Sequence, residues 1–199
     1  MTPYTCDDEL AVAPEGGGAG RIEQSGAYAG RFTLAKECVA KTGTRGIEFH
    51  FEADDGRSAR YLRLWLARAN GEKIEYPYSL LSALMTCLGV KSIASKAATV
   101  EGWNPAANQR EPAEAQVFES LVDKPVGVLL QREEREWEGK TYVSMKIAGF
   151  FDPADRATPG EIQSGRRSGQ ALAAMEARLT ESAPAESTPK PATAAVAKP

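Results

Sequence analysis

The sequence predicts a mainly β domain: a five-stranded Greek-key barrel with one helix between strands 3 and 4, plus flexible N- and C-terminal tails. Three observations carry this. Apolar and polar residues alternate from Arg45 to Asp54 and again from Ala59 to Arg68, the period-2 pattern of half-buried strands. Asp54-Asp55-Gly56 between them is a tight-turn signal. Further on, the period becomes helical across Tyr78, Leu81, Leu84, Met85 and Leu88.

The first strand is expected from Ala27 to Ala40, with Tyr28, Phe32 and Leu34 on one face opposed by Arg31 and Thr33. Lys36 and Glu37 interrupt its alternation, as in a long bent strand. Lys41-Thr42-Gly43-Thr44 turns the chain into the second strand, where Ile47, Phe49 and Phe51 oppose Glu48, His50 and Glu52. The third sets Leu62, Leu64 and Leu66 against Tyr61, Arg63 and Trp65. After Asn70-Gly71 comes a helix of roughly three turns, stopped by Gly89. Lys91 to Pro112 carries no period, and Glu114 to Leu121 reads as a short helical turn packing Val117, Phe118 and Leu121. Val126 to Arg132 and Lys140 to Phe151 are the last two strands, joined by the charged turn Glu133 to Gly139. This order matches an OB-type barrel, whose helix plugs one end; an open α+β sheet with a helix on one face is the alternative.

Composition fits one core with tails. Of 199 residues, 42% are hydrophobic and 26% charged, enough apolar surface for a real core. Residues 1–25, with Gly16-Gly17-Gly18, read as a flexible arm, because ordering glycines is entropically costly. Residues 26–151 form the barrel and 152–181 a weak helical extension, helix-prone over Gln170 to Leu179. Residues 182–199, mostly Ala, Pro, Ser, Thr and Lys, have almost nothing to bury and read as a disordered tail. Apolar runs such as Val126 to Leu130 fall far below the ~20 residues a membrane-spanning helix needs. Asp7, Asp8 and Glu9 stand where a secretory signal has basic and then apolar residues. A cytoplasmic protein without membrane contact is expected.

Several chemistries are disfavoured. Cys6, Cys38 and Cys87 are odd in number and widely spaced, fitting neither a disulfide framework nor a zinc knuckle. His50 is the only histidine, which removes Ser-His-Asp sites and the usual multi-histidine zinc sites. No catalytic residue, metal or cofactor is expected. Net charge is −3, with a pI near 5.4, so a polyanion site must be a local patch.

The second and third strands offer such a patch. With their leucines and phenylalanines inward, Tyr61, Arg63 and Trp65 share the other face with Glu48, His50 and Glu52, extended by Arg60 and Arg68. Rings flanked by cations suit single-stranded nucleic acid, because bases stack on rings and guanidinium groups meet phosphates. Lys36, Lys41 and Arg45 flank the first turn, while Arg132, Arg135, Trp137, Lys140 and Tyr142 surround the last. In an OB barrel these two loops wall the oligonucleotide groove.

Each feature also has a plain structural reading. Tyr and Trp suit sheets whatever their role. Glu48 and Glu52 repel phosphate unless paired with Arg63 or a neighbour. Glu133, Glu134, Glu136 and Glu138 can pair with the cations of the last turn for solubility alone. Trp103 suits packing, His50 is an ordinary strand residue, and Asp-Gly turns recur for backbone reasons. Gly16-Gly17-Gly18 lacks the strand-to-helix setting of a phosphate loop.

The run Gly26-Ala27-Tyr28, then Lys41-Thr42-Gly43-Thr44-Arg45-Gly46-Ile47, the Asp55-Gly56 turn, Leu80 to Leu88 with Gly89-Val90-Lys91, and Leu121 to Val128 before a charged hairpin resemble phage-encoded single-stranded DNA-binding proteins of OB fold. The resemblance covers roughly Gly26 to Phe151 and lies in spacing rather than in a catalytic signature. It implies sequence-tolerant binding of single-stranded DNA during phage replication or recombination, in the host cytoplasm, without catalysis or metal. Many such proteins end in an acidic tail that recruits replication enzymes. Here residues 182–199 hold Glu186 as their only acid, with Lys190 and Lys198.

The expectation is therefore a non-enzymatic single-stranded DNA-binding protein. Tyr61, Trp65 and Trp137 would stack on bases, and Lys41, Arg45, Arg63, Arg132 and Lys140 would meet phosphates. Replication or recombination proteins and a second copy of the chain are the further partners considered. The rival is a protein-interaction module on the same barrel. An enzyme using Glu48 and Glu52 is the weakest reading, because two carboxylates on one strand face are commonplace.

Overall fold

Alternation in neighbouring strands brings four phenylalanines together at the centre of the core. Phe32 packs against Phe49, Phe51 and Phe150, with ring centroids 4.7, 5.6 and 6.3 Å away. All four are at most 2% exposed. The computed structural model describes residues 20–104, 109–137 and 140–181. The side chains of residues 102–104, 110, 135, 137, 140, 180 and 181 lie outside that description. So do the expectations for residues 1–19 and for the 182–199 tail.

The strands are β1 (Gly26–Val39), β2 (Arg45–Ala53), β3 (Ser58–Ala67), β4 (Lys96–Asn104), β5 (Gln109–Val117), β6 (Pro125–Trp137) and β7 (Lys140–Phe151). Helix α1 (Glu75–Cys87) follows β3, a 3-10 turn (Glu119–Leu121) follows β5, and α2 (Pro159–Ser164) and α3 (Gln170–Glu181) follow β7. They build one antiparallel sheet ordered β3-β2-β1-β5-β4, with β6 paired to β1 and β7. β1 organises it: residues 30–39 pair with β2, residues 26–31 pair with β6, and Lys36 meets Val117 of β5.

The fold is thus mainly β, as expected, but it is an open sheet of seven strands rather than a closed barrel of five. α1 leads into an added hairpin, β4–β5, not directly into the strand that pairs with β1. That hairpin occupies the stretch expected to be irregular and then helical. Its Ala, Glu, Gln and Pro residues bury little, so no period marks it. A seam stays open between β3 and β7, which come within 8 Å between Cα atoms while no ladder joins them among the described residues. Part of that seam is filled by the chain entering the domain. Ile22 N donates to the Ser58 carbonyl and Ser58 N to the Gly20 carbonyl, both at 2.9 Å, and Ile22 is fully buried. Of residues 20–25, expected as part of a flexible arm, Ile22 belongs instead to the core.

A bulge corrects a second expectation. The register slips between Phe32 and Leu34, so Leu34 lies opposite His50 while Ala35, fully buried, takes the inward place opposite Phe49. α1 turns Leu80, Leu81 and Leu84 onto the end of the sheet beside β3 and β7. It stops before Gly89, whose φ of 63° is left-handed. No helix among the described residues is long and apolar enough to cross a membrane.

The C-terminal segment is better anchored than its composition suggests. Leu172 of α3 is 1% exposed and packs with Leu129 and Phe151. Val126 to Leu130 is therefore buried on both faces, with Val126, Val128 and Leu130 in the main core and Leu129 beneath α3. Ahead of α2, Thr158 and Glu161 form a capping box. Hydrogen bonds from Ser168 and from the Thr158 backbone hold the Glu161 carboxyl down at about 2. Arg167 bridges Asp152 and Asp155 nearby.

Candidate nucleic-acid interface

The outward face of β1–β2–β3 is built around a buried carboxylate. Glu48 is 4% exposed and is the one charged residue buried among those described. The register aligns Lys36, Glu48 and Arg63 in one row across the three strands. Arg63 donates from Nε to Glu48 Oε2 at 2.7 Å, and its terminal nitrogen lies equally close to the same oxygen. Lys36 Nζ is 3.4 Å and His50 Nε2 3.9 Å from Glu48 Oε1. Such pairing offsets the desolvation that an isolated buried carboxylate would suffer. Burial and then the Glu48 charge push the neighbouring Cys38 thiol up to about 11.

Two features aim side chains outward from this row. Between Ala59 and Leu62 the β3 register gains a residue, so Arg60 and Tyr61 together face His50. Tyr61 sits at φ 61°, is 51% exposed, and meets the His50 ring edge-on at 5.3 Å. Trp65 lies half-buried opposite Gly46, where an added Cβ would come within 2.3 Å of the Leu64 carbonyl oxygen. Only glycine lets β2 approach β3 so closely there. Tyr61, Arg63 and Trp65 are thus brought onto one face, as their alternation suggests.

Lys41 and Arg45 lie at the end of that face. Lys41 is exposed in the β1–β2 turn, and Arg45 reaches Glu37 at 3.4 Å. Arg45 has the inward parity of Ile47 and Phe49 but stands beyond the core, two-thirds exposed. Beside it, Ala67 pairs with Lys73, whose ammonium sits 4.5 Å from the centre of the Tyr78 ring. Lys73 and Tyr78 are both exposed, and the turn between β3 and α1 brings them beside this end of β3, a placement absent from the sequence reading. The Asn70-Gly71 turn, with Gly71 at φ 84°, was the signal for it.

The remaining predicted residues lie elsewhere. β6 passes Gly26, the opposite end of β1 from Lys41, and continues paired only with β7. Arg132 pairs across from Met145 and reaches Glu134 at 2.6 Å. With Arg21, Ile22, Gln24 and Val143 it lines a cavity of about 220 Å³. The backbone register pairs Arg135 with Tyr142 and Trp137 with Lys140 toward the tip of this hairpin. The side chains of Trp137 and Lys140 lie outside the described residues, whereas Tyr142 is 52% exposed. The two predicted clusters therefore occupy different stretches of the sheet.

Asp55, in the tight turn, is held by Arg57 at 2.6 Å, and hydrogen bonds from Arg57 keep its carboxyl below the usual range. Among the described residues no group of three or more His, Cys, Asp or Glu is placed to hold a metal ion. No family model matches the chain, and no curated protein matches its sequence.

Proposed function

We propose that this protein binds single-stranded DNA with little sequence preference through the outward face of β1–β2–β3. The observation that carries the reading is Tyr61. A tyrosine in the left-handed region is disfavoured by about 1–2 kcal/mol, yet here it sits on a bulge with half its surface in solvent. A bulge that presents a ring beside Arg60, Arg63 and Trp65 supplies what sequence-tolerant stacking needs. The resemblance to phage single-stranded DNA-binding proteins supports a role in protecting DNA strands during phage-type replication or recombination.

Titration of the full chain with oligo-dT, followed by tryptophan fluorescence at two salt concentrations, tests this. Quenching with salt-sensitive affinity is expected. Tyr61→Ala and Trp65→Ala should each weaken binding by roughly 5- to 150-fold, the equivalent of ~1–3 kcal/mol of stacking per base. No binding at low salt would refute the proposal and favour a protein-interaction module. That second reading draws on the carboxylate beside nearly every cation of the face: Arg63 with Glu48, Arg31 with Glu52, and Arg45 with Glu37.

A further inference from the structure

We infer that Glu48 is a specificity-determining residue: by offsetting one of the two charges of Lys36 and Arg63 it lowers the pull of this face on phosphates and so weighs it toward unpaired bases over duplex. The inference rests on the single-strand reading above and deepens it. Duplex DNA offers a protein of this kind mainly phosphates, and affinity for phosphates grows with the number of uncompensated cations. Single strands also offer the faces of their bases to exposed rings. A surface that keeps its rings open and its cations paired favours the second partner over the first.

The row Lys36–Glu48–Arg63 has that character. Two cations flank one carboxylate, leaving a single net positive charge where two would otherwise stand. Glu48 is buried at 5% side-chain exposure, whereas the Arg63 side chain is 46% exposed and Lys36 21%. The negative charge is thus sunk into the sheet beneath the cations, where solvent does not screen it from them. At the edge, Arg31 is matched by Glu52 at 3.0 Å, and at the far end Arg45 by Glu37. Tyr61, by contrast, is held out by the bulge, so ring and charge are controlled separately.

The test compares wild type, Glu48→Gln and Glu52→Gln, each as the full chain, on oligo-dT and on a blunt duplex of equal length across a salt series. Glu52 is exposed, so its variant remains informative if Glu48→Gln fails to fold. Wild type should hold oligo-dT with a shallow salt dependence and bind duplex weakly. Each variant should steepen the slope of log affinity against log salt by about 0.9 on duplex and about 0.7 on single strands. Referred to 1 M salt, those slopes raise duplex affinity about fivefold at ~0.15 M and about fifteenfold at ~0.05 M, against about fourfold and eightfold for oligo-dT, so the balance moves toward duplex. A carboxylate serving only to hold the fold would lower stability and leave the slopes unmoved. Unchanged slopes in a folded Glu48→Gln, or in Glu52→Gln where Glu48→Gln does not fold, with oligo-dT still bound, overturn this inference and spare the single-strand reading. Duplex bound as tightly as oligo-dT by wild type overturns it too, and failure of wild type to bind either nucleic acid overturns both.

Discussion

Two hairpins of this molecule have nearly the same length and opposite characters. β2–β3 buries Phe49, Phe51, Leu62 and Leu64 on one face and carries the Glu48 row on the other. β4–β5 buries only Val117 among its described side chains. It joins the sheet through the pairing of Lys36 with Val117, a bond from Phe118 N to the Ala35 carbonyl, and a contact between Lys96 and Glu119 at 3.3 Å. Yet the β4–β5 ladder runs without a register shift, whereas that of β2–β3 slips twice. Ladder bonds therefore shape a hairpin, while the apolar face beneath it decides how firmly it is held.

That contrast can be broken most directly at Phe49. Phe49→Ala should destabilise the whole domain by about 3–5 kcal/mol, read from urea or thermal unfolding, because a fully enclosed ring leaves a cavity. A loss below about 1 kcal/mol would place the stability elsewhere. An intermediate case is the α2–α3 segment, whose attachment is partly polar. The Glu161 carboxyl titrates at about 2 in the folded chain against an ordinary 4.5, so its contribution is complete above pH 4.5 and lost as pH falls toward 2. Hydrogen exchange, corrected for intrinsic rates, should show amides 158–171 losing protection across that window before those of β2. Equal protection at both ends of it would contradict the assignment. The smallest effect is expected in the added hairpin: Val100→Ala should change stability by no more than about 0.5 kcal/mol, and a larger change would reveal a hidden support.

The same contrast explains what the sequence could say. β2 and β3 are legible because large apolar residues fall on every second position, and the ends of α1 because Asn70-Gly71 precedes it and Gly89 follows. β4 and β5 are not, since small and polar residues such as Ala97, Ala98, Thr99, Ala113, Glu114 and Gln116 fall on both parities and bury little on either side. The bulges at Thr33 and Tyr61 are equally silent: neither is a residue type that announces one, and each arises from how whole strands must align. The grouping of Tyr61, Arg63 and Trp65 was readable from parity alone. That the expected charged turn from Glu133 instead continues as ladder to the Trp137–Lys140 pair required the register of β6 against β7, which Glu-rich strands do not encode. Ile22 was hidden by its setting, a lone large residue after a glycine stretch.

Gly46 gives the β2–β3 face an unusual dependence. The gap between the strand that bears Glu48 and the strand that bears Arg63 and Trp65 is tuned by atoms that position 46 does not possess. Even alanine would wedge the two apart, skewing indole and guanidinium while deleting neither. A screen for lost ligand affinity would therefore score this position beside the contacting residues, although it has no side chain with which to touch anything.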